Sequence, residues 1–300
     1  MSDMVVSYLV RPGVSVVKRV VYYPWLYLMI VVAWALMCLL PRLFVRFEVR
    51  GKDRMQWDGR TLYLGRHRNG SLGTFGVQGQ LWYPKIFWYP ESYPYNVAKM
   101  KYVMALGEWA VSFARYCRIL SLPEKGRGRG EIFQREVDVL KRPHSALTLF
   151  PTGTRDHVGQ TEFARYHSST AMGRLLKETK PKVVFYYDND SHVFTGMLRR
   201  RWELLQTGSF WYLPVSSFIF HRPKVVITVS KVIDTSKIDT KLGRLCHDPS
   251  ATAEEITQEL WKIHALWAKL VDPQATLPPR LYWEDMSSED FEKMYHGETY

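Results

Sequence analysis

An uncharged run of twenty-one residues, Val20 to Leu40, bounded by Arg19 and Arg42, constrains this chain more than any other feature. Wound as a helix it would span about 31 Å, which matches a bilayer's hydrocarbon core. Ten of its residues are Val, Ile or Leu. At roughly −0.3 to −0.6 kcal/mol each, their insertion is favoured by about 3–6 kcal/mol. Tyr22, Tyr23, Trp25 and Tyr27 crowd one end, where amphipathic rings sit among headgroups. Pro24 suits a first turn and Pro41 a stop. The run is too long for a cleaved signal peptide, and no small-x-small site follows it. A fully buried helix of a soluble protein is the alternative. The expectation is a membrane anchor over 20–42, preceded by a basic segment over 1–19. Arg11, Lys18 and Arg19 precede the run, and Arg42, Arg46, Arg50 and Lys52 follow it. A re-entrant insertion with both ends on the cytoplasmic side satisfies both basic flanks, so the expected localisation is the membrane, with the following domain on its cytoplasmic side.

Beyond residue 43 the pattern changes to alternating strands and helices. Strand-like runs occur at 44–49, 61–64, 146–150, 183–187 and 225–229, with helical patterns at 97–116, 131–141 and 168–178 between them. Such alternation favours an α/β layered domain, a largely parallel sheet flanked by helices, over 43–271. Its last helix opens with a capping box, Thr252 and Glu255. Ile256, Leu260, Ile263, Trp267 and Leu270 then recur at helical spacing, which implies packing on the domain, with a membrane or partner contact as the alternative. An acidic tail follows over 272–300. Seven aromatics crowd Leu81 to Tyr95, interrupted by Pro84, Pro90 and Pro94; core packing and an interfacial patch are equally compatible with them.

With 46% hydrophobic and 23% charged residues the chain has the composition of a folded protein. Its formal net charge of +12 attracts polyanions. Basic runs such as Arg199-Arg200-Arg201 suit headgroups as well as nucleic acid, but no nucleic-acid motif accompanies them. The expected partners are therefore membrane lipids and no nucleic acid. Cys38, Cys117 and Cys246 lack metal-ligand spacing, so neither a metal site nor a disulfide framework is expected.

Two segments carry candidate chemistry. Gly65-Arg66-His67-Arg68-Asn69-Gly70-Ser71-Leu72-Gly73 follows one expected strand, and Phe150-Pro151-Thr152-Gly153-Thr154-Arg155 closes another. Ligands of open α/β sheets collect at the carboxyl ends of strands, so both are expected over one crevice. A histidine there suits a general base poised near neutral pH. Gly153 and the neighbouring amides suit an anion, and Arg155 suits bidentate pairing with phosphate.

In their order, behind a hydrophobic anchor, these segments resemble the phospholipid/glycerol acyltransferase superfamily, which includes lysophosphatidic acid acyltransferase. Phe47-Glu48-Val49-Arg50-Gly51 resembles that family's strand after the anchor. His67 matches the histidine of its His-x4-Asp box, Val97 to Leu122 its Lys-rich second block with Lys101, and Phe150 to Arg155 its Phe-Pro-Glu-Gly-Thr-Arg block at five of six positions. The resemblance implies transfer of an acyl chain from acyl-CoA or acyl carrier protein, as co-substrate, to a lysophospholipid or glycerol-phosphate hydroxyl, with no further cofactor. It implies His67 as base. It also implies Phe150, Pro151, Thr152, Gly153, Thr154, Arg155 and Lys101 as substrate-binding residues, with an anionic lysophospholipid as partner. Two departures stand out: Leu72 occupies the place of the box aspartate, and Thr152 that of the glutamate. Asp156, Asp188 and Asp190 remain as carboxylates that could supply the missing acid. A catalytically inactive relative that binds lipid or acyl donor as a scaffold or regulator is the alternative.

Overall fold

The structure is a computed structural model. It describes residues 32, 38, 39, 42, 45–57, 59–65, 71–85, 93–99, 119–122, 129–143, 145–150, 170–188 and 224–271. In chain order these form β1 (Arg46–Arg50), a 3-10 turn (Lys52–Arg54), β2 (Thr61–Gly65), α1 (Ser71–Trp82), β3 (Tyr95–Lys99) and β4 (Ile119–Leu122). Next come α2 (Arg129–Lys141), β5 (Ala146–Leu149), α3 (Ala171–Thr179) and β6 (Lys182–Asp188). The series closes with β7 (Lys224–Val229), β8 (Ile233–Asp234), α4 (Lys241–His247) and α5 (Ala253–Val271).

The eight described strands make one sheet in the order β1-β7-β6-β2-β5-β3-β4, with β8 also on β6. From β6 through β2, β5 and β3 to β4 every neighbour is parallel. The β1–β7 pair, parallel within itself, joins β6 antiparallel. Central strands buried on both faces read as nearly continuous apolar runs. β2 and β6 do so, with all five residues of β2 buried.

Side chains alternate across these strands, so the sheet has two distinct cores. Leu62, Leu64, Leu147, Val183, Phe185 and Tyr187 face α2, α3, α4 and α5. Tyr63, Ala146, Val184, Tyr186, Val225 and Ile227 face α1. On the first side the capping box forms as expected: Thr252 N–H donates to Glu255 Oε2 at 2.7 Å, and Glu255 N–H donates to Thr252 Oγ1 at 3.2 Å. Ile256, Leu260 and Ile263 then point into the domain core, which decides for domain packing over a membrane or partner contact.

Three expectations need correction or restriction. First, Val97–Lys99 do not open a helix; they complete strand β3. Tyr95 and Val97 pack on the α2–α5 side while Asn96 is buried with the α1-side residues, a period of two rather than 3.6. Residues 100–118 lie outside the described residues. Second, no helix among the described residues is long and apolar enough to cross a membrane. Of the segment 20–42, only Val32, Cys38, Leu39 and Arg42 are described, all helical. Cys38 is fully buried, its thiol 3.3 Å from Gly79 O, and its carbonyl accepts from Gln80 Nε2 at 2.7 Å. The end of the apolar run therefore packs on α1, while Val32 and Leu39 stay exposed. Third, the described aromatics of Leu81–Tyr95 include core residues. Trp82 and Tyr93 are both 0% exposed. Trp82 meets Tyr63, Tyr93 and Trp57 edge-to-face at 4.9, 5.7 and 6.4 Å. Phe87, Trp88 and Tyr89 lie outside the described residues, as does the tail over 272–300.

Candidate functional site

The two segments singled out in the sequence leave adjacent parallel strands at the same edge of the sheet. β2 and β5 are in register through Leu64↔Leu149, and on its other side β2 runs level with β6 through Gly65↔Tyr186. The chain from Gly65 to α1 carries the histidine box, and the chain leaving β5 opens the Phe150 block. Among the site residues expected from sequence, Phe150 is described. It is partly buried and packs on the α1-side core. His67, Lys101 and Pro151, Thr152, Gly153, Thr154 and Arg155 lie outside the described residues, and Leu72 falls in the first turn of α1.

Beneath that edge lies a buried polar layer. Gln78, on α1, donates through Nε2 to Asn96 Oδ1 at 2.7 Å and to the Tyr186 hydroxyl at 3.2 Å. Its Oε1 accepts from the Tyr93 hydroxyl at 3.0 Å, so a fully buried amide has partners on both ends, as such burial requires. Thr148, on β5 level with Tyr63 and Asn96, is fully buried too, and its Oγ1 finds no hydrogen-bond partner among the described residues. Burial, opposed by the Gln78 hydrogen bond and reinforced by the Asp188 charge, holds the Tyr186 phenol far above the ordinary tyrosine range. It therefore keeps its proton and serves as a neutral group at the site. Asp188 itself is 2% exposed.

Gly65 is the point where strand geometry and site meet. A Cβ placed there would lie 2.2 Å from Cζ of Tyr186 and 2.3 Å from its hydroxyl oxygen. The missing side chain is what lets the Tyr186 ring lie across the end of β2. Gly65→Ala is expected to displace that ring, lose the Gln78 bond and destabilise the fold by about 1–3 kcal/mol. Tyr186→Phe, which keeps the ring, should cost only about 1 kcal/mol. Denaturant titration of the two variants side by side checks the ordering.

At the far end of α1 a second polar cluster ties the N-terminal segment to the domain. Lys52 Nζ donates to Gln80 O at 3.1 Å and to Tyr83 O, completing carbonyls at a helix C-terminus where a cation is favoured. Arg42 Nε donates to Gln80 Oε1 at 2.5 Å, and its guanidinium lies 3.8 Å over the Tyr83 ring. Burial first, then the nearby Arg42 charge, pulls the Lys52 ammonium below the ordinary lysine range. Two of the cations flanking the apolar run are thus engaged by protein groups.

Sequence reasoning missed Gln78, Tyr93, Asn96 and Tyr186, because a buried glutamine on an unexpected helix leaves no local pattern. Among the described residues no group of three or more His, Cys, Asp or Glu could hold a metal ion.

No protein-family model matches the chain, and no curated protein sequence matches it. Among solved structures the chain is similar to the crystal structure of the 1-acyl-sn-glycerophosphate (LPA) acyltransferase PlsC from Thermotoga maritima. The identity is 13%, the match covers 87% of this chain and 84% of that chain, and the TM-score is 0.43. A likeness of that size assigns no activity.

Proposed function

We propose that this chain is a membrane-bound acyltransferase that moves a fatty acyl group from acyl-CoA or acyl carrier protein to a hydroxyl of a lysophospholipid or glycerol phosphate. The observation that carries this reading is the adjacency of β2 and β5. They are parallel and paired through Leu64↔Leu149, and in the sequence the histidine box follows the first strand and the Phe150–Arg155 block the second. The carboxyl edge of such a pair is where open α/β sheets bind ligands.

In the proposed reaction His67 accepts the proton of the acceptor hydroxyl as its oxygen attacks the thioester carbonyl. An ester C–O bond forms and the C–S bond breaks. The imidazolium then returns the proton to the departing sulfur, releasing the free thiol. Arg155, with amides around Gly153, holds the acceptor's phosphate, Lys101 adds a cationic contact, and Phe150, Pro151, Thr152 and Thr154 shape the pocket wall. A membrane location through residues 20–37, on the cytoplasmic side, would bring a lipid acceptor to that edge, and the net charge of +12 suits an anionic one.

One observation favours a second reading. Leu72 stands where the resemblance implies an aspartate and Thr152 where it implies a glutamate, which suits a binder of lipid or acyl donor without turnover. The test is transfer of labelled acyl groups from acyl-CoA, or from acyl carrier protein, by the purified full chain in liposomes. Lysophosphatidic acid, other lysophospholipids and glycerol 3-phosphate would be offered in turn. Ester product from any acceptor supports the enzyme. Liposome and thioester binding without product from all of them supports the binder.

A further inference from the structure

Cations gather at the C-terminal end of α1, and the surface beside them says what they suit. Lys52 uses two of its N–H groups on the Gln80 and Tyr83 carbonyls. Lys85, just past the helix, is exposed, and its Nζ lies 4.5 Å from the centre of the Trp57 ring. A ring face attracts an ammonium without using its N–H groups, so Lys85 is held in place with its donors left for an acceptor. Among the described residues, the full charges that act on Lys52 are those of Arg42 and Lys85, and both are positive. Asp53, next to Lys52 in sequence, is exposed and is not among them. A helix C-terminus carries about half a negative charge, so Lys52 and Lys85 together leave a surplus of about 1.5 positive charges.

The neighbouring surface is apolar. Arg42, whose guanidinium lies over the Tyr83 ring, stands two residues beyond the uncharged run. Cys38 turns into α1, while Leu39 beside it is 43% exposed. Val32 is exposed too, and with Ile238 these are the exposed large hydrophobics among the described residues. Two of those three side chains therefore belong to the segment that leads into the cations. Apolar side chains, then Trp and Tyr rings, then cations is the layering that a bilayer interface selects. A soluble phosphate would meet the cations and leave Leu39 in water, whereas a phospholipid satisfies both. The place is also distinct from the acceptor's: α1 has 12 residues, about 18 Å of helix, and its other end follows β2.

We propose that Lys85 and Lys52, flanked by Arg42 and by the Trp57 and Tyr83 rings, dock the phosphate of an anionic phospholipid whose acyl chains lie along Leu39. This rests on the membrane location proposed above and not on the acyl-transfer chemistry. The docked lipid is a fixed contact of the chain with the bilayer, not a substrate.

The experiment titrates the purified full chain, in micelles of an uncharged detergent, with phosphatidylglycerol or phosphatidylcholine, and measures bound lipid by native mass spectrometry. Phosphatidylglycerol should bind the more tightly. Lys85→Gln should weaken its binding by about fivefold, the effect of one cation near an anionic lipid. Lys85→Arg, which keeps the charge, should bind as wild type does. Arg174→Gln, which removes an exposed charge from α3, should leave binding unchanged. Equal binding of the two lipids by the wild type overturns the proposal, and that reading needs no variant to fold. So does a folded Lys85→Gln that binds as wild type, or an equal loss in Arg174→Gln, which would mean diffuse attraction to the net charge. Displacement of the lipid by inorganic phosphate would mean a free-anion site and would overturn it as well. Flotation of the wild type with phosphatidylcholine vesicles tests the location separately. A chain that stays in the aqueous fraction removes the membrane reading, while one that floats yet fails the lipid titration removes the docking site alone.

Discussion

Gly173→Ala is expected to destabilise the chain by about 3 kcal/mol, which lowers the thermal midpoint by roughly 6–12 °C for a domain of this size. Gly173 lies in the first turn of α3, where the start of α5 crosses it. A Cβ there would sit 1.8 Å from the backbone oxygen of Ala253 and 2.7 Å from Thr257 Oγ1, against an ordinary carbon–oxygen contact of roughly 3.3 Å or more. The contact is cemented by Thr257, whose Oγ1 accepts from Gly173 N–H at 2.9 Å and donates to Ala253 O at 2.7 Å. Alanine is the better helix former by about 1 kcal/mol, so propensity alone would predict stabilisation. Overlap wins, because the obstacle is backbone and can yield only if α5 withdraws by more than an ångström. Withdrawal would open the packing of Met172 and Leu176 against Ile256 and Leu260. Differential scanning fluorimetry against Arg174→Ala, an exposed neighbour expected to change stability by about 0.5 kcal/mol or less, measures it. A Gly173→Ala midpoint equal to or above wild type would contradict the packing described for α3 and α5.

Much of this architecture is legible in the sequence, for physical reasons. β1, β2, β5, β6 and β7 announce themselves because apolar, β-branched runs at strand length suit strands buried in a sheet. The capping box of α5 is a local chemical signal, and it forms with the expected reciprocal bonds. α1 left no such signal. Its core residues are interrupted by Gly73, Gly76 and Gly79, and Gln78 and Gln80 lie inside rather than outside. Its described half, 76–82, is buried throughout, packed against the sheet and against Cys38 and Arg42, so no polar face there reveals its period. β3 misled because Val97-Ala98-Lys99 is too short to separate alternation from helical spacing, and only Asn96, buried with Gln78, makes the strand plain.

The site was legible in part, and for a different reason. The strands before its two segments are strong, and β2 and β5 do pair in parallel through Leu64↔Leu149, while His67 and 151–155 themselves lie outside the described residues. The polar layer beneath was not legible, because Gln78, Tyr93, Asn96 and Tyr186 come together only through tertiary packing. The apolar run at the N-terminus shows the reverse case. Its hydropathy is plain, yet Cys38 near its end and Arg42 just beyond it are engaged by α1, which composition does not reveal.

His67→Ala carries the largest expected effect on activity. A positioned general base contributes about 10²–10⁴ in rate, and alanine removes the proton acceptor without removing a side chain on which a described contact depends. KM for the phosphate-bearing acceptor should stay within a few-fold, because Arg155 is the proposed phosphate ligand. Arg155→Ala should do the opposite, raising that KM more than it lowers kcat. The decisive measurement is the initial rate of ester formation from labelled acyl-CoA by wild type and His67→Ala, both reconstituted in lysophospholipid-containing liposomes. A wild-type rate that falls at least a hundredfold in the variant, with acceptor KM held, is the result expected here. Equal rates in the two proteins would contradict a base at position 67, and with it the active edge formed by β2 and β5.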